Sequence, residues 1–463
     1  MVDLSVLSRR NGHFNRRQFL SFATAIGLTP TVIPLNEVFA DEPIKILWNG
    51  IGLMRACAQS RCKDLESYFW NVYPLLKGKN NDAKLIDDIL KDALSKDRNS
   101  NRAIKVVWPT RGNQDIGATD YGMFLGITSD RDIASKYYPA HKKTILIFEL
   151  QMYLFVLNVE TFEVIQSYPL RFLEFEIVNG KKDLDTLVAK MGDLILGEKN
   201  TGREGTKNFD VPSALINTVS NIQINKTAPV NVRVTKITSR TLTKKWLGSP
   251  TINKSSVEFE SILGGSLSTA VSDKMKIGIQ PYMPTDAIAD LTEIYAATVK
   301  DKSSVVLQKN LNFAPIGLDL RMVSRGMKVT TKPNKRYKTM KTHRIIIGLD
   351  IIAGRWERTY HDNQRQFEAK EKLIEKIFHQ QFLMLSVEVT KGTWSNDWYW
   401  VLDMHERLFS WFFGLLNEQK YSEIHRGQNV KKKSRQFLFK VKAKEFSKFK
   451  LEAKNLRAAL TKT

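Results

Sequence analysis

The sequence holds only two cysteines in 463 residues, Cys57 and Cys62, so it is not a disulfide-stapled scaffold. Their five-residue offset fits neither the two-residue gap of redox motifs nor a zinc-ligand pair, which needs a second Cys or His pair nearby. On one straight helix that offset separates the Cα atoms by roughly 8 to 9 Å, beyond the ~7 Å that a bridge tolerates. Two readings stay open: a bridge where a helix breaks or begins between them, or unpaired buried thiols. No Gly-x-Ser-x-Gly elbow, no phosphate loop ending in Gly-Lys-Ser/Thr and no Cys/His zinc set occurs. These absences remove the sequence signatures of serine hydrolases, P-loop NTPases and zinc enzymes, and no metal or cofactor is expected. Carboxylate chemistry assembled from distant positions stays open. No stretch reaches the run of about 20 apolar residues that spans a bilayer.

What is present describes a folded, basic protein. Apolar residues make up 42% and aromatics 10%, with nine tryptophans, enough to bury substantial cores and to exclude a disordered chain. The formal charge is +23. From Arg426 to Thr463 there are 13 Lys/Arg against Glu445 and Glu452, a net +11 in 38 residues. Such a field attracts nucleic acid, anionic lipid headgroups or acidic polymers; the alternative is a solvated basic face that keeps the protein in solution.

The N-terminus decides between those partners. A net-positive flank precedes "NRRQFLSFATAIG", followed by a short, diluted apolar run and then "NEVFADEP". Charged region, apolar region and small-residue cleavage site, in that order, compose a secretory signal. Asn15 to Ser21 resembles the twin-arginine export signal, with Arg16, Arg17, Phe19 and Leu20 at its matching positions. The resemblance implies passage through the export machinery, cleavage after Ala40, a mature chain from about Asp41 carrying about +21, and a periplasmic location. In that compartment anionic lipid or cell-wall polymer is the expected partner, and nucleic acid is the partner if the chain is not exported.

The chain reads as α+β and two-lobed, with mixed or antiparallel sheets flanked by amphipathic helices and a β-rich middle segment. The expected order is export signal 1–40, an N-terminal α+β domain 41–196, a linker 197–212, the middle segment 213–265, a C-terminal α+β domain 266–425 and a basic strand–helix tail 426–463. "IKILWNG" reads as a strand leading through Gly50-Ile51-Gly52 into a helix. Arg55 stands where a dinucleotide fingerprint needs its third glycine, so the turn is read as an ordinary one. "NDAKLIDDILKDALSK" is the clearest amphipathic helix and "RAIKVVWPTRG" a strand. Lys142 to Lys182 reads as paired strands turning near Glu160-Thr161 and closing at Asn179-Gly180. Within it, "LFVLNVETFEVIQSYPL" resembles the hairpin of curli-assembly and TolB amino-terminal-type periplasmic domains, with Phe162 in place of the turn glycine. "TDAIADLTEIYAATVKDK" and "NQRQFEAKEKLIEKIFHQQFLML" read as helices, and "LGGS" as a break.

Three places gather side chains with chemical potential. "GRWERTYHDNQRQFE" clusters Arg355, Glu357, Arg358, His361 and Asp362, either as a His–carboxylate site or as a polar hairpin end. "GTWSNDWYWVLDMHERLFSWFFGLLNEQ" concentrates Trp394, Trp398 and Trp400 with Trp411, Phe412 and Phe413, beside Asp403, His405 and Glu406. It reads as a helix closing a core, or as an aromatic surface for glycans or lipid headgroups. In the tail, Lys431, Lys432, Lys433, Arg435, Lys440, Lys442 and Lys444 are the expected anion contacts. Beyond them, Phe446, Phe449, Leu456 and Leu460 recur at helical spacing, so the helix lies on an anionic membrane or docks on its own domain.

Overall fold

The structure is a computed structural model. It describes residues 44–56, 88–89, 91–92, 104–108, 121–161, 163–181, 184–197, 210–220, 222, 232–282, 294–301, 304–311, 313–336, 339–363, 366–391, 397–426, 435–439 and 445–461. Side chains are described throughout these except at 52–56, 294–301, 304–310, 358–363, 366–370, 388–391, 426 and 435–439. The export motif, Ala40, Cys57 and Cys62 lie outside the described residues.

Two mixed sheets and seven named helices make the fold α+β among the described residues. The first sheet is built on β1 (Ile44–Ala56), β3 (Tyr121–Tyr138), β4 (Lys143–Asn158) and β5 (Val164–Asn179), with β2 (Ile104–Val107) paired to β1. Its order is β5-β4-β3-β1-β7-β8, where β7 (Ile294–Asp301) and β8 (Ser304–Leu311) return from much later in the chain. β1 runs parallel to β3 and antiparallel to β7. β4 is buried along almost its whole length, because it is flanked on both edges and covered on both faces, which is why its sequence is a near-continuous apolar run.

The β4–β5 hairpin turns where its sequence predicts. The Asn158 Oδ1 accepts from the backbone N–H of Glu160 and Thr161 at 2.8 and 3.0 Å, an Asx turn that needs no glycine. The ladder closes with Lys143 opposite Asn179, and Gly180, at φ +77°, donates to the Lys142 carbonyl at 2.7 Å.

The second sheet has the order β12-β11-β10-β9-β6, from β6 (Val232–Ser239), β9 (Leu318–Pro333), β10 (Met340–Asn363), β11 (Gln366–Lys391) and β12 (Arg435–Phe439). β6 is parallel to β9 and the other pairs are antiparallel. The helices are α1 (Leu184–Leu196), α2 (Val211–Val219), α3 (Thr241–Leu247), α4 (Ser256–Met275), α5 (Asp397–Asn417), α6 (Tyr421–Arg426) and α7 (Phe446–Thr461). Among its described residues, segment 213–265 contributes one strand, β6, with α2, α3 and the first half of α4. Its Val232/Val234 alternation is confined to eight residues.

Three expected elements take another form. "LGGS" lies inside α4, capped by Ser255, whose Oγ accepts from the Glu258 N–H at 3.0 Å. Its two glycines serve close approach: a Cβ on Gly264 would sit 2.2 Å from the Tyr282 ring, and one on Gly265 2.5 Å from the Gln151 side chain. Gln366 to Lys391 is a strand, not a charged helix, because it pairs along its length with β10. Ile294 to Asp301 is also a strand, held between β1 and β8. β1 itself runs through Gly50–Gly52 to Ala56, so no strand–turn–helix exists there for a nucleotide.

One hydrophobic core joins both sheets: Ile133, Ile145 and Ile147 from the first, Leu320, Ile347 and Phe382 from the second, with α4, α5 and α7 between and over them. α7 therefore docks on its own fold, burying Phe449, Ala453, Leu456 and Leu460. Among the described residues no helix is long and apolar enough to cross a membrane.

Candidate functional site

The tryptophan-rich helix faces inward. Trp398 is 4% exposed, stacked near Trp246 and tilted against Phe259 at 6.3 and 5.8 Å between ring centroids. Trp400 is half-buried against His343 at 4.5 Å. Trp398 is thus a core residue rather than a ligand platform, and Trp394 lies outside the described residues. His405 is fully buried among Phe259 and Phe409, and its Nδ1 meets the Val401 carbonyl at 2.7 Å. Burial pushes its pKa down to about 4 despite that hydrogen bond, so the ring is neutral. The two carboxylates that flank it in sequence, three residues apart, part company. Asp403 bonds Arg407 at 2.7 Å on the surface, while Glu406 bonds Arg171 at 2.8 Å. At the start of α5, burial raises the Asp397 carboxyl, opposed by His343 at 3.9 Å.

The "GRWERTYHDNQRQFE" cluster lies along the outer part of the β10–β11 hairpin. Arg355 is exposed and pairs with Glu375 at 3.5 Å, and His361 and Asp362 stand opposite Glu368 and Phe367 in the ladder. The side chains of Arg358, His361 and Asp362 are outside the described set. The same holds for Lys431, Lys432, Lys433, Lys440, Lys442 and Lys444, while Arg435 is placed by its backbone at the end of β12 opposite Ser386. Among the described residues no group of three or more His, Cys, Asp or Glu is arranged to hold a metal ion.

Among the described residues the strongest exposed charge is elsewhere, at the turn end of the β9–β10 hairpin. From Arg325 to Arg344 the sequence has eight Lys/Arg and no Asp or Glu. Arg325 is held by Asp350 at 2.8 Å. Lys328, Lys332, Lys335, Lys341 and Arg344 are exposed and make no ion pair among the described residues. Lys328 pairs across the ladder with Ile346, Thr330 with Arg344 and Lys332 with Thr342. Directly opposed residues share a face and alternate residues repeat it, so Lys328, Lys332 and Arg344 line one side of the sheet. Ile345 and His343 face the core on the other. Lys328 and Lys332 stand roughly 13 Å apart along the strand by its rise, with Arg344 between them on the neighbouring strand. The next strand offers Val387 and Leu385 at that face, not acids. A charge count in a sliding window finds this run from sequence; the larger C-terminal excess draws the reading away from it.

A second basic surface is the outer side of α7, where Lys448, Lys450 and Lys454 are exposed beside Leu451 at 60%. Exposed Glu445 and half-buried Glu452, bound to Gln380 at 3.0 Å, dilute its charge.

No family model matches the sequence, and no curated protein is detected as a relative. Among solved structures the chain is similar to a neuraminyllactose-binding hemagglutinin homolog from Helicobacter pylori, at 12% identity, over 38% of this chain and 92% of that one, with a TM-score of 0.19. At that score the likeness assigns neither fold nor function.

Proposed function

We propose that the protein is exported by the twin-arginine route and binds an anionic lipid surface or cell-wall polymer of the envelope through its basic surfaces, led by the β9–β10 hairpin. The observation that carries this reading is the acid-free stretch Arg325 to Arg344 at the turn end of that hairpin, where Lys328, Lys332, Lys335, Lys341 and Arg344 are exposed and make no ion pair among the described residues. Cations left unpaired on a regular sheet keep their field for a partner, whereas those of α7 share their helix with Glu452. The aromatic helix α5 drops out of the contact because its rings are spent on the core.

The test titrates the chain lacking residues 1–40 against vesicles containing phosphatidylglycerol and against an anionic cell-wall polymer at rising salt. Binding is expected to weaken steeply as the Debye length shrinks. The triple change Lys328→Ser, Lys332→Ser and Arg344→Ser should weaken it about 100-fold, from ~1 kcal/mol per cation at an anionic surface. Unchanged retention by the triple variant overturns the hairpin. Duplex DNA bound more tightly than either envelope partner, with export unaffected by Arg16→Lys/Arg17→Lys, overturns the setting.

A further inference from the structure

A cavity of about 210 Å³ opens over the edge strand β5, walled by α2, α4 and α5. Drug-sized ligands fill roughly 300–1,000 Å³, so this one suits a smaller molecule. It differs in chemistry from the rest of the basic surface. Beneath it runs a chain of alternating charges: Arg131 to Glu149 at 2.9 Å, Glu149 to Arg171 at 2.7 Å, Arg171 to Glu406 at 2.8 Å. Glu149 and the Arg171 side chain are 0% and 1% exposed, while Glu406 is 36% exposed and lines the cavity. Burying such groups costs several kcal/mol per ion before their attraction is counted, so a buried pair is weak evidence of a stabilising device. Here it does something else: it fixes a carboxylate at the cavity wall.

The free hydrogen-bonding capacity of the wall is specific. Arg171 Nη1 donates to Glu406 Oε1, and the other oxygen, Oε2, accepts no hydrogen bond among the described residues. The hydroxyls of Ser266 and Ser410 also make none among the described residues, and Ser410 lies one helical turn from Glu406. Thr269 donates to the Gly265 carbonyl at 2.9 Å, leaving its oxygen as an acceptor. Across the opening, Asp273 is matched by Lys274 and Lys276 at 2.6 and 3.3 Å. Burial works against that carboxylate, but the two lysines prevail and hold its pKa below the usual range. Among the residues that line the cavity, Arg171 and Lys276 balance Glu406 and Asp273, so the wall offers a carboxylate oxygen and hydroxyls without net charge.

From this set we infer that the cavity binds a small neutral polyol, a single sugar ring or cyclitol, whose hydroxyls donate to Glu406 Oε2 and exchange hydrogen bonds with Ser266 and Ser410. An anion would meet Glu406 and Asp273; a cation would gain little from carboxylates already paired. The site is independent of the basic hairpin.

The full chain is titrated by calorimetry and by NMR with D-glucose, D-galactose, N-acetyl-D-glucosamine and myo-inositol, with D-glucosamine as the cationic comparator. At least one neutral ligand is expected to bind one-to-one, about tenfold more weakly in Glu406→Gln and in Ser410→Ala. Ser410→Ala should keep the melting temperature, which separates lost binding from lost fold. The hairpin triple variant should bind the sugar unchanged, so failure here and failure of the envelope-surface reading are told apart. No binding by any of the four neutral ligands overturns the assignment. So does binding of glucosamine alone, or sugar binding that neither cavity variant weakens.

Discussion

The helix α5 and the turn end of the β9–β10 hairpin are two strongly biased stretches of the chain, one in aromatics and one in positive charge, and the fold treats them oppositely. Trp398, Phe409, Phe412 and Phe413 turn inward to close the core. Lys328, Lys332 and Arg344 project from a sheet face with no acid to answer them. Compositional bias therefore marks function only where folding does not use it up. An aromatic cluster has a ready use in burial, worth about 1.5–3 kcal/mol per large side chain. Like charges held on adjacent strands have none, since they repel and stabilise nothing.

Removing the helix's largest contribution breaks this comparison most sharply. Trp398→Ala should cost about 3–5 kcal/mol of stability, seen as a drop in the denaturation midpoint. A Trp398 that worked as a ligand platform would leave the midpoint unmoved.

The next effect is pH-dependent and sits on the same helix. In the unfolded chain His405 titrates near 6.5, in the fold near 4. The fold holds the neutral ring, so its contribution is complete above pH 6.5, declines as pH falls through 6.5 toward 4, and is lost below. The whole step is about 3 kcal/mol. A stability profile between pH 7 and 3.5 should show this fall, and His405→Leu should flatten that component. An unchanged slope in the variant would assign the loss to other groups.

Smaller still is the cap of α4. Ser255→Ala removes the acceptor for the Glu258 N–H and should cost about 1 kcal/mol, measurable by denaturant titration. Glu258 also pairs with Lys254 at 2.8 Å, so Ser255→Asp, which restores an acceptor, should recover most of the loss.

How much of this was legible beforehand depends on which forces decided each element. The β4–β5 hairpin was readable because its turn chemistry is local: Asn158 closes the turn by itself and the flanking runs are apolar. α7 was readable because Phe449, Leu456 and Leu460 repeat at one period. β11 misleads because its charged residues also repeat at helical spacing; the period-two set Phe378, Phe382, Met384 and Ser386 wins only when β10 supplies a partner strand. α4 hides because its glycines answer to Tyr282 and Gln151, neighbours distant in sequence. The cavity was illegible for the same reason: Arg171 and Glu406 lie 235 residues apart and meet only in the fold.

The final comparison sets the two basic surfaces against each other. Deleting 426–463 cannot do this, because α7 buries Phe449, Leu456 and Leu460 and the deletion would open the core along with removing charge. Charge must be removed without touching the apolar side. Lys448→Ser/Lys450→Ser/Lys454→Ser and Lys328→Ser/Lys332→Ser/Arg344→Ser each delete three exposed cations, and neither set should shift stability by more than about 0.5 kcal/mol per site. Their effects on retention by phosphatidylglycerol vesicles should differ. Arg344 stands on a strand paired on both sides, and Lys328 and Lys332 stand on the strand beside it, on one face that carries no acid from Arg325 to Arg344, so all three meet a flat anionic surface together. On α7, residues 448, 450 and 454 fan around the helix by its 100° step, with Glu452 on the same helix, so fewer charges reach the surface at once. The hairpin variant should therefore lose the larger share of binding and the larger part of the salt dependence. Equal losses would make the contact a matter of net charge alone, and a larger loss in the α7 variant would move it to the C-terminal helix.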